Sequence, residues 1–167
     1  MTGVVVSAAI YARISSDDGS ALGVQRQVED CQALAASLGW QVGDVYIDND
    51  VSAWSGKRRP EYERMLADLA DGTRDAVLVY HLDRLVRRPL ELEQFLPVLA
   101  AADVRQVRFV SSAGLDVGSG DGLMVLRMMA AMAANESDTK SRRVKRKMLQ
   151  NAEAGLPHGV DPLRWTP

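Results

Sequence analysis

Residues 76–88 read AVLVYHLDRLVRR, and the way this stretch divides decides the fold. Ala76 to Tyr80 is apolar without alternation, the pattern of a short strand buried on both faces. Helical patterns flank it, from Pro60 to about Ala70 and from Pro89 to Ala102. Each opens on a proline, whose missing N–H is not needed in a first helical turn. Asp71-Gly72 ends the first of them. Outward from there, Val104 to Val110 and Val42 to Ile47 read as further strands. In 23–39, GVQRQVEDCQALAASLG, residues Val24, Val28, Cys31, Leu34, Ala35 and Leu38 fall at helical spacing, and Gly39 is the stop. Val4 to Ile14 is β-branched and apolar, the first strand.

Strands alternating with helices predict an α/β fold: a mainly parallel four- to five-stranded sheet flanked by helices. A long C-terminal helical pattern, Leu123 to about Ala154, follows. The expected organisation is a catalytic α/β domain over 1–120, a long helix over 121–154 and a linker or truncated tail over 155–167. Asp48 to Arg59, with Trp54 and Gly56, reads as a polar loop, and Gly118 to Gly122 as a hinge before the long helix. No internal repeat is present. In an open α/β sheet the loops at the carboxyl ends of the strands are the favoured place for a site.

Of the 167 residues, 47% are hydrophobic and 25% charged, which supports a packed core; aromatics are only 5%, so that core is aliphatic and Met-rich. The formal net charge of −2 does not point to nucleic acid. Its distribution does: from Asn135 onward the chain carries +3, leaving −5 on the rest. The single cysteine, Cys31, excludes a disulfide framework and reads as a core residue. Neither a signal peptide nor a membrane span is visible, so a cytoplasmic protein is expected.

Two clusters carry chemistry. Tyr11, Arg13 and Ser15 alternate at the end of the first strand, so all three side chains share a face. Directly after the third strand come Asp83, Arg84 and Arg87, with the two arginines three apart. Convergent guanidiniums fit a phosphate, which arginine binds in bidentate fashion. Ordinary strand-end polar residues and a solvated basic turn are the other readings. If strands one and three are neighbours, a serine hydroxyl faces several guanidiniums, an arrangement suited to phosphoryl transfer. His81 is a weaker candidate for a general base. Asp48 and Asp50 read as strand-end caps rather than metal ligands. Asp17-Asp18 together with Asp83 leave a phospho-receiver signalling domain as an alternative, although no lysine lies between Lys57 and Lys140. Gly118 to Gly122 lacks the Gly-Lys-Ser/Thr of a P-loop.

The segments Tyr11-Ala-Arg13-Ile-Ser15, Gln25 in LGVQRQ, Arg59 ahead of Pro60-Glu61, Leu82-Asp83-Arg84-Leu85 with Arg87, and a long helix with Glu136 and Arg143 occur in this order. The chain thereby resembles the catalytic domain of the serine recombinases, the resolvase/invertase family, and most resembles the large serine integrases. The resemblance implies that Ser15 attacks a DNA phosphodiester and forms a 5′-phosphoseryl link, releasing a 3′-hydroxyl. It implies that Arg13, Arg84 and Arg87 bind the reacting phosphate, that Gln25, Arg59 and Tyr11 complete the site, and that Asp83 orients arginines or assists proton transfer. It implies no metal or other cofactor. The partners implied are double-stranded DNA attachment sites and further copies of the chain, as a homodimer and as a tetramer in the synaptic complex.

The long helix divides in two. Leu123, Leu126, Met129, Ala130 and Ala133 form an apolar stripe widened by Met124, Val125, Met128 and Met132, and Leu123, Leu126, Met129 and Met132 are the candidate interface residues. The resemblance makes this the dimer interface; packing on the chain's own sheet is the alternative. Its second half is basic, and Arg142, Arg143, Lys145, Arg146 and Lys147 are the expected DNA contacts. After Leu156-Pro157-His158-Gly159 the chain stops at Pro167 without a helix-turn-helix or zinc ligands, which reads as a fragment or truncated recombinase. A non-catalytic domain that joins and regulates a full-length recombinase is therefore a further alternative.

Overall fold

A computed structural model describes residues 7–14, 21–49 and 58–155. Five strands form one sheet: β1 (Ala8–Ile14), β2 (Val42–Asn49), β3 (Ala76–Val79), β4 (Gln106–Phe109) and β5 (Ser112–Asp116). The spatial order is β2-β1-β3-β4-β5. The first four are parallel, and β5 runs antiparallel to β4. The helices are α1 (Ala21–Leu38), α2 (Pro60–Ala70), α3 (Leu82–Leu85), α4 (Pro89–Ala101) and α5 (Gly120–Glu153). The expected α/β architecture with its long terminal helix is what the chain adopts.

Alternation along the strands sorts the core. Ala8, Ile10, Ala76 and Leu78 face α1 and pack on Cys31 and Ala35. Ala9, Tyr11, Val77 and Val79 face the opposite way, against Met65 and Leu69 of α2, Phe95 and Leu99 of α4, and Leu126 of α5. Because β1 and β3 are covered on both sides, Ala8 to Ala12 and Ala76 to Val79 are all wholly buried. Burial also pushes the Cys31 thiol up to about 12, so the lone cysteine is a core group and a poor nucleophile.

The sequence reading places no strand at Ser112–Asp116, where β5 forms a hairpin with β4. That segment is short and carries Leu115 as its one large apolar residue, too little for an alternation signal. The long helix starts at Gly120, earlier than expected, because Ser119 caps it: its Oγ accepts from the Gly122 amide at 3.0 Å. Glu93 on α4 grips Arg127 on α5 through two bonds, of 2.7 and 2.9 Å, and fixes the helix base to the domain.

Strand order matters most for the site. The chain leaves β1 for β2 on one side and reaches β3 on the other, so the crevice at the carboxyl ends of β1 and β3 is the switch point of the sheet. Tyr11 and Val79 are partners in the β1–β3 ladder, and the residues that follow each enter that crevice.

Candidate active site

At the end of β1, Tyr11 and Arg13 lie on one face, as their spacing predicts. Arg13 is buried, and its Nη2 donates to the carbonyl of Asp83 at 2.7 Å. This bond joins the end of β1 to α3, the turn that follows β3. Asp83 is thereby held beside Arg13, and Arg84 and Arg87 follow it in the same segment. Arg84 is only 17% exposed along its side chain and has Asp83 Oδ2 at 3.7 Å. Ser15, the expected nucleophile, lies outside the described residues, as do Asp17, Asp18, Asp50 and Trp54.

Arg59 is tied by its guanidinium to the end of β1 and to α3. Its Nε and Nη2 donate to the Tyr11 hydroxyl, and Nη2 also reaches the Leu85 carbonyl at 2.7 Å. Its Nη1 pairs with Glu91 Oε2 at 3.3 Å, and its guanidinium carbon stands 4.0 Å from the Tyr62 ring centroid. Each nitrogen of this guanidinium is engaged within the chain, so Arg59 braces the α3 segment. Tyr11 is likewise wholly buried. Burial first, offset by Arg59 and reinforced by Asp48, raises its phenol far above the ordinary value, so it is a neutral hydrogen-bonding group. Burial also pushes Tyr62 up to about 12.

Asp48 closes the network. Its carboxylate accepts from the Tyr11 hydroxyl at 2.9 Å and from the Glu61 and Tyr62 amides at 3.1 and 2.9 Å. It thus caps the start of α2 rather than the end of its own strand. Among the described residues no group of three or more His, Cys, Asp or Glu is placed to hold a metal ion. His81 occupies the N-cap position of the short α3 and is half-exposed. Its Nδ1 stands 2.8 Å from Asp83 Oδ1; a carboxylate only accepts, so Nδ1 carries the proton there.

Gln25 lies on the first turns of α1, which follows the segment bearing Ser15. It is exposed on α1 and donates to Glu29 one turn along at 2.8 Å. The neighbour missed by the sequence reading is Gln27. It is buried, and its amide clasps the backbone of Arg13 from both sides, accepting from the N–H at 3.5 Å and donating to the C=O at 3.3 Å. A signal was available: Gln27 falls between Val24 and Cys31 on the buried stripe of α1, where a polar side chain needs a partner.

On α5 the expected interface splits. Leu126 is wholly buried against the chain's own sheet, and Leu123 and Met129 pack on that core. Leu126 is therefore a core residue and not a surface offered to a partner. Met132 is 64% exposed, and with Met124, Val125 and Met128 it forms the outward apolar face. Arg142, Arg143, Lys145, Arg146 and Lys147 are all exposed. Among the described residues no helix is long and apolar enough to cross a membrane.

The profile of the family described as "Resolvase, N terminal domain" matches residues 8–156, a span that runs from β1 through α5. The chain belongs to this family. It is a resolvase-type catalytic domain of the serine recombinases, and that assignment displaces the phospho-receiver reading. The chain is 28% identical over 128 residues to the transposon Tn2501 resolvase of Escherichia coli, covering 77% of this chain and 62% of that protein. It thus spans just under two thirds of that resolvase. With the serine recombinase PinR of Escherichia coli strain K12 it shares 26% identity over 155 residues, 92% of this chain and 74% of the relative. Among solved structures, the N-terminal catalytic domain of TP901-1 integrase superposes with a TM-score of 0.56 at 28% identity, covering 80% of this chain and 98% of that one. A resolvase family site-specific recombinase from Streptococcus pneumoniae gives 0.61 at 21% identity, over 89% of this chain and 99% of that one, a likeness of fold.

Proposed function

We propose that this domain cleaves and rejoins double-stranded DNA at attachment sites, in the manner of a serine integrase, with Ser15 as the nucleophile. The Ser15 oxygen bonds to phosphorus as the bond from phosphorus to the 3′ oxygen breaks. The serine proton leaves, the 3′ oxygen departs as a hydroxyl, and the 5′ phosphate stays on the protein. One phosphate ester replaces another, so no external energy source is required and the reverse step rejoins the strand. Arg13, Arg84 and Arg87 gather the charge that builds on the phosphate oxygens; loss of one such preorganised donor costs about 3–4 kcal/mol of barrier. Asp83 orients His81 and Arg84. Tyr11, Asp48 and Arg59 hold these groups in place.

The observation that carries this reading is the Arg13 to Asp83 bond, 2.7 Å across the β1–β3 switch point, which binds the strand leading to Ser15 to the turn bearing Arg84 and Arg87. The exposed Met124, Val125, Met128 and Met132 face supports self-association of the chain as a dimer, and as a tetramer when two DNA sites are paired. The basic half of α5 supports a contact with the DNA backbone. The test is incubation with a duplex whose scissile linkage is a 3′-bridging phosphorothiolate, so that cleavage yields a thiol that religates poorly. A protein–DNA adduct with release of thiol, absent in Ser15→Ala, is the expected result. No adduct, or an adduct that survives Ser15→Ala, overturns the reading.

A further inference from the structure

Val86 is flanked by backbone groups held from other elements. Before it, the carbonyls of Arg84 and Leu85 accept from Arg59 Nη2 at 3.3 and 2.7 Å. After it, the Arg87 amide donates to Glu91 Oε2 at 2.8 Å. The same carboxylate oxygen accepts from Arg59 Nη1 at 3.3 Å, so one atom links the two clamps. We propose that Glu91 is a positioning residue: through Arg59 and the Arg87 backbone it fixes where Arg84 and Arg87 present their guanidiniums. The inference rests on the phosphate-binding role given to those two arginines above.

The chemistry of the junction favours a carboxylate. An oxygen that receives both a backbone N–H and a guanidinium N–H must be a pure acceptor with two lone pairs, and a charged acceptor strengthens both bonds. Glu91 also sits in the first turn of α4, where the helix dipole favours a negative charge. A residue that served only the helix start would need no partner 32 positions away on the approach to α2. Side-chain exposure of 11% for Arg59 and 30% for Glu91 keeps the pair out of bulk water, where an ion pair holds its geometry better. Three side chains from separate parts of the chain, Arg13, Arg59 and Glu91, thus pin the backbone at 83, 84, 85 and 87.

The experiment compares this chain with Glu91→Ala and Glu91→Gln. Glutamine keeps an acceptor for the Arg87 amide but removes the charge facing Arg59. Exchange of the Arg87 amide, followed by NMR, should speed up by about tenfold or more in Glu91→Ala and stay within about threefold in Glu91→Gln. With the phosphorothiolate duplex, Glu91→Ala should lower the rate of adduct formation by about tenfold or more, with duplex affinity within about twofold; Glu91→Gln should fall between. A parallel loss of rate, affinity and melting temperature in both variants identifies a merely structural residue and overturns the proposal. So does an unchanged Arg87 exchange rate in Glu91→Ala. If the unmodified chain itself forms no adduct, the phosphoseryl reading is what fails, and the exchange comparison alone decides the brace.

Discussion

Arg59 reaches the single phenolic oxygen of Tyr11 through both Nε and Nη2, at 3.0 and 2.9 Å, while that oxygen donates its own proton to Asp48 at 2.9 Å. One hydroxyl therefore mediates between a buried cation and a buried anion. Tyr11→Phe removes the donor from Asp48 and the acceptor from Arg59 together. It should cost about 1.5–3 kcal/mol of stability, read from urea unfolding midpoints, because bonds to charged groups are the stronger class. A loss below about 0.5 kcal/mol would show that water replaces the hydroxyl without penalty.

The two glutamines of α1 make opposite predictions. Gln25→Ala removes only an exposed bond to Glu29 and should leave stability within about 0.5 kcal/mol. Gln27→Leu strands the N–H and C=O of Arg13 in a buried setting and should cost about 1–3 kcal/mol. Because Arg13 stands two residues before Ser15, Gln27→Leu should also slow adduct formation. Equal behaviour of the two variants would remove the distinction.

Leu126→Ala opens a hole in this chain's own core and should cost about 2–5 kcal/mol in a dilute, monomeric sample. Met128→Gln and Met132→Gln act on side chains 55% and 64% exposed, and should leave monomer stability within about 0.5 kcal/mol. They should instead weaken self-association, as measured by sedimentation equilibrium. Unchanged association in both would place the partner surface elsewhere.

Alkaline pH acts through the buried phenols. Burial raises Tyr11, and lifts Tyr46 and Tyr62 to about 12, so the folded chain holds protons that the unfolded chain releases near its ordinary phenol range. Their contribution is complete below about pH 10 and is lost as pH rises toward about 12, at up to about 1.4 kcal/mol per phenol for each tenfold change in acidity. Phenolate absorbance from these residues should therefore appear together with unfolding. Smooth phenolate formation in a folded chain would contradict the burial.

Salt should separate the two halves of α5. With about four to six phosphates contacted by the basic segment, the logarithm of affinity should fall against that of salt with a slope of about −4 to −5. Arg143→Ala should lower the slope by about one while leaving circular dichroism unchanged. A slope near zero would remove this segment from the DNA contact.

The strands and helices were legible wherever hydrophobic spacing was unambiguous. Val77 and Val79, buried from both sides, left an unbroken apolar run, and Pro60 and Pro89 marked two helix starts. Hairpin β4–β5 was not legible, because its pairing is an edge contact that Leu115 alone could not announce. At the site, Arg13 was readable from its place at the end of β1 and Arg84 from its place just after β3. Arg59 was readable as important but not as a brace, because its role depends on Tyr11, Leu85 and Glu91, which only the tertiary fold brings to it. Leu126 and Met132 show the same limit: both belong to the apolar half of one helix, and the chain's own core covers only the first.

Helix α5 has 34 residues, about 51 Å, yet among its described side chains the last buried one is Ala130. Residues 135–153 form a cantilever of about 28 Å, clamped at its base by Leu126, Ala130 and the Glu93–Arg127 grip. A tilt of about 10° at that clamp swings the far end by about 5 Å, more than the rise of one base pair. Displacements too small to break a core contact at the sheet are therefore amplified, along this helix, to the scale on which DNA register is counted.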